Sequence, residues 1–216
     1  MTSDFIPEIN REPLKVQAAN YIRHLILTNS LNSGDRIVPG NIASDLKIGR
    51  GVIREALMQL ETEGLVTNVP YSGSYVTSYT MNEIQEIGAV RIMLEAYAIK
   101  NQYEHITEED FVCLEQICDR IKECVFQNNI EGVLKYDAMF HSYFVRKENK
   151  SVLLDSWDVS SGKMALIYVA MHQKGYSSDN TAKNHYYLLD KLRSSLDEYL
   201  EELDEHYMKV VRYKPE

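Results

Sequence analysis

Only one stretch of this 216-residue chain departs from helical spacing. Leu65-Val66-Thr67-Asn68-Val69 and Ser74-Tyr75-Val76-Thr77 are short β-branched runs joined by Pro70-Tyr71-Ser72-Gly73, and they predict a β-hairpin. What precedes the hairpin decides its meaning. From Pro13 to Ser30, Val16, Ala19, Tyr21, Ile22, Leu25 and Ile26 form an apolar stripe at helical spacing, with Pro13 suited to a first turn. Asn32-Ser33-Gly34-Asp35 is a turn cluster. Pro39 to Leu46 predicts a short second helix with Ile42, Ala43 and Leu46 inward. After the tight turn Lys47-Ile48-Gly49, a third helix is expected from Arg50 to Glu63, stopped by Gly64.

Three helices, a short turn between the second and third, then a hairpin is the winged helix-turn-helix order. In that arrangement the third helix directs its first turn into a DNA major groove. Arg50 and Arg54, one turn apart on its polar face, reach phosphates or guanine edges there. At the wing tip Ser72 and Gly73 carry little bulk, so backbone N–H groups approach a phosphate or the minor groove. A net charge of −9 argues against nucleic acid only as an average. Residues 1–77 hold seven Lys/Arg and eight Asp/Glu, so the acidity belongs almost wholly to the remainder, and phosphate contact needs only a local patch.

From residue 78 to 216 nothing reads as strand. Thr80-Met81-Asn82-Glu83 is a capping box that opens a helix to about 104, with Ile84, Ile87, Val90, Ile92, Leu94, Ala96 and Ile99 apolar around much of its circumference. Thr107-Glu108-Glu109-Asp110 opens another, and further helices are expected at about 129–147, 150–174, 180–194 and 196–212. One break between them is signalled by Gly175-Tyr176-Ser177-Ser178. The fold class is therefore mostly α: a winged helix-turn-helix over 1–77 and an all-α antiparallel bundle over 78–216. No apolar run is long enough to span a bilayer, and Met1–Arg11 lacks the pattern of a signal peptide, so the expected location is cytoplasmic with no membrane partner. Cys113, Cys118 and Cys124, in one helical segment, are expected to be reduced and buried.

Asp137 and His141 stand at i and i+4, which puts a carboxylate and an imidazole on one helix face, a common way to offer two metal ligands. His185 and His206 lie on two later helices, and an antiparallel bundle allows them to face that pair. Three His and one Asp suit Zn²⁺, Ni²⁺, Mn²⁺ or Fe²⁺ without choosing among them. Read from periodicity alone, each histidine is equally a surface or core residue.

Two sets of residues resemble a known family. Ser33-Gly34-Asp35-Arg36-Ile37, Ile42-Ala43, Ile48-Gly49-Arg50-Gly51-Val52-Ile53-Arg54-Glu55-Ala56-Leu57, Leu60-Glu61-Thr62-Glu63-Gly64-Leu65-Val66, Gly73 and Val76 are similar to the GntR superfamily head. The chain keeps both arginines but has Gly49, Gly51 and Val52 where that pattern usually has Ser, Thr and Pro, so hydroxyls that cap the helix and touch phosphate are missing. Arg91 and Glu95, then Asp137, Phe140, His141, Asn149, His185 and His206, resemble the FCD sensor domain of the FadR subfamily. That resemblance implies a divalent metal held by Asp137, His141, His185 and His206, and an effector pocket faced by Arg91, whose other reading is a buried pair with Glu95. His185 and His206 are one residue closer in sequence than is usual, a difference assigned to the turn near Arg193-Ser194-Ser195. The resemblance further implies a homodimeric regulator, a repressor, whose grip on double-stranded operator DNA responds to a small effector, often a carboxylate. A structural or absent metal with a separate effector pocket is the alternative. A metal-dependent hydrolase is disfavoured, because no Glu or His is spaced as a general base and a DNA-binding head would go unexplained.

Overall fold

The computed structural model describes residues 12–173 and 177–211. The head consists of α1 (Leu14–Leu27), β1 (Arg36–Ile37), α2 (Pro39–Leu46), α3 (Arg50–Thr62), β2 (Val66–Val69) and β3 (Gly73–Val76). Then follow α4 (Met81–Gln102), a 3₁₀ turn at Tyr103–His105, α5 (Glu108–Phe126), α6 (Ile130–Glu148), α7 (Ser151–Gln173), α8 (Thr181–Ser194) and α9 (Leu196–Val211). The expected helices and hairpin are all present, with ends moved by a residue or a few. Met1 to Arg11, and Gly175 and Tyr176 of the expected break, lie outside the described residues.

β2 and β3 pair antiparallel with Val66 opposite Val76 and Val69 opposite Gly73. Both Val66 and Val76 are buried, which fixes the register, since a slip by one residue would turn them to solvent. The structure adds β1, which pairs with β3 and makes β3 the central strand. Two residues leave no alternation to read in a sequence, so this strand was invisible there.

The head core gathers Ile22, Ile26, Ile37, Ile53 and Leu60, all essentially inaccessible, and it takes in Leu166 from α7. The bundle core surrounds Trp157 with Ile99, Leu114, Phe140, Leu188 and Leu203. α4 differs from its sequence reading. Besides Ile84, Ala98 and Ile99 it buries three polar side chains, Arg91, Glu95 and Gln102, whereas Val90, Met93 and Tyr97 are exposed.

The cysteines need one correction. Cys118 and Cys124 are buried, but Cys113 is exposed. The inward face of α5 runs through Asp110, Leu114, Cys118 and Ile121, and Cys113 sits one residue, about 100°, off that stripe. Among the described residues no helix is long and apolar enough to cross a membrane.

Candidate metal centre and nucleic-acid interface

α6 supplies Asp137 and His141 one turn apart, α8 supplies His185, and α9 supplies His206. The bundle brings all four together, with one ligand atom from each lying within 4.8 Å of every other. The three imidazoles form a nearly equilateral triangle, with ring centroids 5.0, 4.9 and 4.8 Å apart. Nε2 of His141 is 3.1 Å from Nε2 of His206, and Nε2 of His185 is 3.2 Å from Asp137 Oδ1. The latter pair is close enough for ionic attraction but is not aligned as a hydrogen bond, so His185 Nε2 counts as unsatisfied. The turn to which the one-residue shortening before His206 is assigned joins α8 to α9; there Ser195 is extended and its Oγ accepts from Glu198 N.

Two of the rings are held from behind. His141 Nδ1 lies 2.9 Å from Glu95 Oε2, and His185 Nδ1 lies 2.8 Å from the carbonyl of Thr181. Each contact favours a proton on Nδ1 and leaves the Nε2 lone pair facing the cluster, the support that metal-ligating histidines ordinarily have. Phe140 packs edge-on against both rings and limits their rotation.

Electrostatics agree with the geometry. Burial drives His206 well below the usual imidazole range, and the neighbouring His185 and His141 add to this, so it is neutral at pH 7. Burial alone would raise Asp137, but the contact with His185, the nearness of His141 and the guanidinium charge of Arg91 outweigh it and keep the carboxylate ionised. A neutral imidazole and an ionised carboxylate are the states in which these groups bind a cation.

Arg91 lies beside the centre, fully buried, with its guanidinium 4.0 Å above the Trp157 ring. Its Nε donates to the Tyr207 hydroxyl at 2.9 Å, and that hydroxyl donates to Glu95 Oε1. Arg91 and Glu95 are thus joined through Tyr207, and Glu95 passes the connection to His141. Sequence reasoning placed Arg91 and Glu95 on one face but missed Tyr207, whose only signal was its position next to His206. A cavity of about 60 Å³ opens over these groups, lined also by Ser161, Met164, Tyr168 and Asn184.

On the head, Arg50 and Arg54 are exposed on α3 and make no ion pair among the described residues. Gly49 is the N-cap of α3 without a side-chain cap, and a Cβ at Gly49 or Gly51 would meet nothing within 4 Å. Ser72 and Gly73 are exposed at the hairpin tip. Arg36, which sequence reasoning did not single out, donates from Nη2 to the Ser72 carbonyl at 2.8 Å and braces that tip. A concave surface runs between α3 and the hairpin, bordered by Arg36, Arg54, Met58, Asn68 and Ser74.

A winged helix-turn-helix joined to this helical bundle is the architecture of a class of DNA-binding transcriptional regulators. The particular family is the GntR family, and the chain belongs to it: the model described as "Bacterial regulatory proteins, gntR family" matches residues 14–76, and the FCD domain model matches residues 86–207. The chain is 22% identical over 142 residues to the transcriptional regulator McbR of Escherichia coli, a match covering 66% of this chain and 64% of that protein. It is 26% identical over 150 residues to the gluconate operon transcriptional repressor of Bacillus licheniformis, covering 69% and 61% respectively. The matched stretches therefore span less than two thirds of those relatives. A solved structure of E. coli McbR/YncC has the same fold, with a TM-score of 0.74 at 18% identity, covering 93% of this chain and 98% of that one.

Proposed function

We propose that this regulator is a homodimeric repressor whose operator affinity is set by a small carboxylate effector bound at a divalent-metal centre. One observation carries the reading. Among the described residues, the buried side-chain polar atoms without a hydrogen-bond partner are Arg91 Nη2, His185 Nε2 and His206 Nδ1, and all three residues line one cavity. A buried polar atom left unpaired costs about 1–3 kcal/mol, and three in one place suit a cation and an anion that complete them. The donor set fits: three imidazoles and one carboxylate, two of the rings braced from behind, with Asp137, His141, His185 and His206 as the ligands. A bound divalent ion would supply concentrated positive charge and open positions for an effector oxygen. Arg91 Nη2 would hold the effector carboxylate, oriented by Tyr207 and Glu95. The cavity has room for on the order of five water-sized groups, which favours a short-chain acid.

On the head, Arg50 and Arg54 would contact phosphates or guanine edges in the major groove. Gly49, Gly51, Ser72 and Gly73 would admit close backbone approach to the duplex. Transmission from cavity to head has a physical route along α7. Ser161, Met164, Ala165 and Tyr168 line the cavity, while Gly162 and Leu166 of the same helix pack into the head. A Cβ on Gly162 would stand 2.6 Å from the carbonyl oxygen of Glu63, the residue that ends α3. An effector that displaces α7 therefore acts directly on the helix carrying Arg50 and Arg54. It shifts the equilibrium by its differential affinity for the two arrangements. The exposed Val90, Met93 and Tyr97 of α4 and Val152 and Val159 of α7 offer an apolar face for a second copy.

The test is elemental analysis of wild type and His141→Ala, with DNA affinity measured against a panel of two- to six-carbon carboxylates. Wild type should hold about one divalent ion per chain and respond to a panel member; His141→Ala should lose both. A metal-free variant with an unchanged response would overturn the metal-mediated mechanism.

A further inference from the structure

The most exposed large apolar side chain among the described residues is Tyr71, at the hairpin tip, with a relative exposure of 111%. The backbone N–H of Ser72 donates to the Val69 carbonyl at 3.0 Å and closes a turn around Pro70 and Tyr71. Tyr71 has φ +60° there. Proline followed by a residue of positive φ marks a type II turn, whose third position favours glycine because a Cβ is crowded in that conformation. The tyrosine recovers nothing for this strain within the chain: its hydroxyl makes no hydrogen bond among the described residues, and its ring packs on nothing. The tip is nevertheless held, by Arg36 on the Ser72 carbonyl and by the 2.6 Å contact between Ser72 Oγ and the Tyr75 hydroxyl. A strained conformation kept by bracing around an outward-facing side chain points to a role outside the chain.

The surroundings indicate the partner. The hairpin from Val66 to Val76 contains no charged residue, and the cation nearest its tip, Arg36 of β1, is turned onto the Ser72 carbonyl. The hairpin borders the concave surface that also carries Arg54, an exposed cation of α3. Next to a helix in the major groove, such a tip meets the adjacent minor groove, whose walls are apolar deoxyribose edges and whose floor presents acceptor atoms.

We propose that Tyr71 is a DNA-contacting wedge, its ring against the minor-groove sugars and its hydroxyl directed to an acceptor on the groove floor. The strained turn then exists to present an aromatic ring where glycine would sit more easily. The proposal rests on the DNA-binding reading of the head, and the experiment separates the two.

A duplex is selected from a random-sequence library with the full-length protein and used to measure affinity for wild type, Tyr71→Ala, Tyr71→Gly, Tyr71→Phe and Arg54→Ala across a salt series. Tyr71→Ala and Tyr71→Gly should bind roughly tenfold more weakly, in line with the loss of one aromatic contact, and Tyr71→Phe should keep most of the affinity. The salt slope should be unchanged by the Tyr71 substitutions but fall by about 1 for Arg54→Ala. Tyr71→Gly should leave the melting temperature unchanged or raise it while weakening binding, a combination a merely structural tyrosine does not give. Binding within twofold of wild type for the Ala and Gly variants overturns the proposal, as does a melting temperature that falls together with affinity. Failure of the wild-type protein to enrich any duplex removes the DNA-binding reading itself.

Discussion

The helices of the head and those of the bundle begin in opposite ways. α1, α2 and α3 start at Pro13, Val38 and Gly49, and none has a side-chain cap. α4 and α5 both start with complete capping boxes, from Thr80 with Glu83 and Thr107 with Asp110, and Asn129 caps α6. The first four N–H groups of a helix have no partner within it. The bundle closes most of its own helix starts, whereas the head leaves those of its recognition helix open, where a phosphate can accept from them. Having satisfied so much, the bundle leaves three buried atoms without a hydrogen bond, on residues that line one cavity. Open donors on the surface and atoms without a hydrogen bond in the interior are thus the two places where the proposed function puts a ligand.

The largest expected effect would break that comparison at its interior end. His141→Ala should reduce affinity for Zn²⁺ or Ni²⁺ by more than 100-fold, measured by competition with a chelator. Glu95→Gln, which removes only the brace behind His141, should cost roughly 10- to 100-fold. Equal metal content in all three proteins would mean the unpaired atoms have another purpose.

Next comes the joint between the two regions. Gly162→Ala forces a methyl group toward the Glu63 carbonyl and should destabilise the protein by roughly 1–3 kcal/mol, read as a lowered melting temperature. No change would show that α7 does not press on the end of α3 in solution. Slightly smaller is the contribution of a cap. Burial would raise Asp110, but Lys147, the Thr107 N–H and Tyr143 outweigh it and pull the carboxyl from 3.8 down to about 2. A depressed folded-state value means that this stability is present above about pH 4 and is lost as pH falls through about 2. Partial exposure of Lys147 screens the pair, so Asp110→Asn should cost about 1–2 kcal/mol at pH 7, with the gap to wild type closing in acid. A gap independent of pH would assign the loss to packing instead of charge.

Much of the fold was legible because helical periodicity and caps are local. Thr80 with Glu83, and Gly64 after α3, announced boundaries that the structure keeps. The four residues of the centre were legible only as a set: Asp137 and His141 share a face by spacing, but nothing local says that His185 and His206 turn toward them. The Glu95–Tyr207–Arg91 chain was not legible, because it joins residues more than 110 positions apart and depends on how α4 packs against α9. Leu166, within a helix expected to belong to the bundle alone, fills the head core because α7 runs past it. Tyr71 was seen as part of a turn, but its strain is a backbone angle and leaves no trace in residue type.

The smallest effect sharpens the contrast at the head. Gly49 has φ −70° and ψ 144°, the extended conformation an N-cap serine adopts, and a Cβ there meets nothing within 4 Å. Gly49→Ser should therefore fit without strain, accept a hydrogen bond from an early N–H of α3, and stabilise the protein by a few tenths of a kcal/mol. In a chain of this size that is a rise of about 1 °C in melting temperature. The new hydroxyl would occupy an N–H now free for phosphate, while itself being able to donate to one. If the open start of α3 is used for DNA through the backbone, Gly49→Ser should gain stability without gaining affinity. Affinity that rises with stability would instead mean that the serine hydroxyl is a better phosphate contact than the bare backbone, and that leaving this helix uncapped confers no advantage in binding.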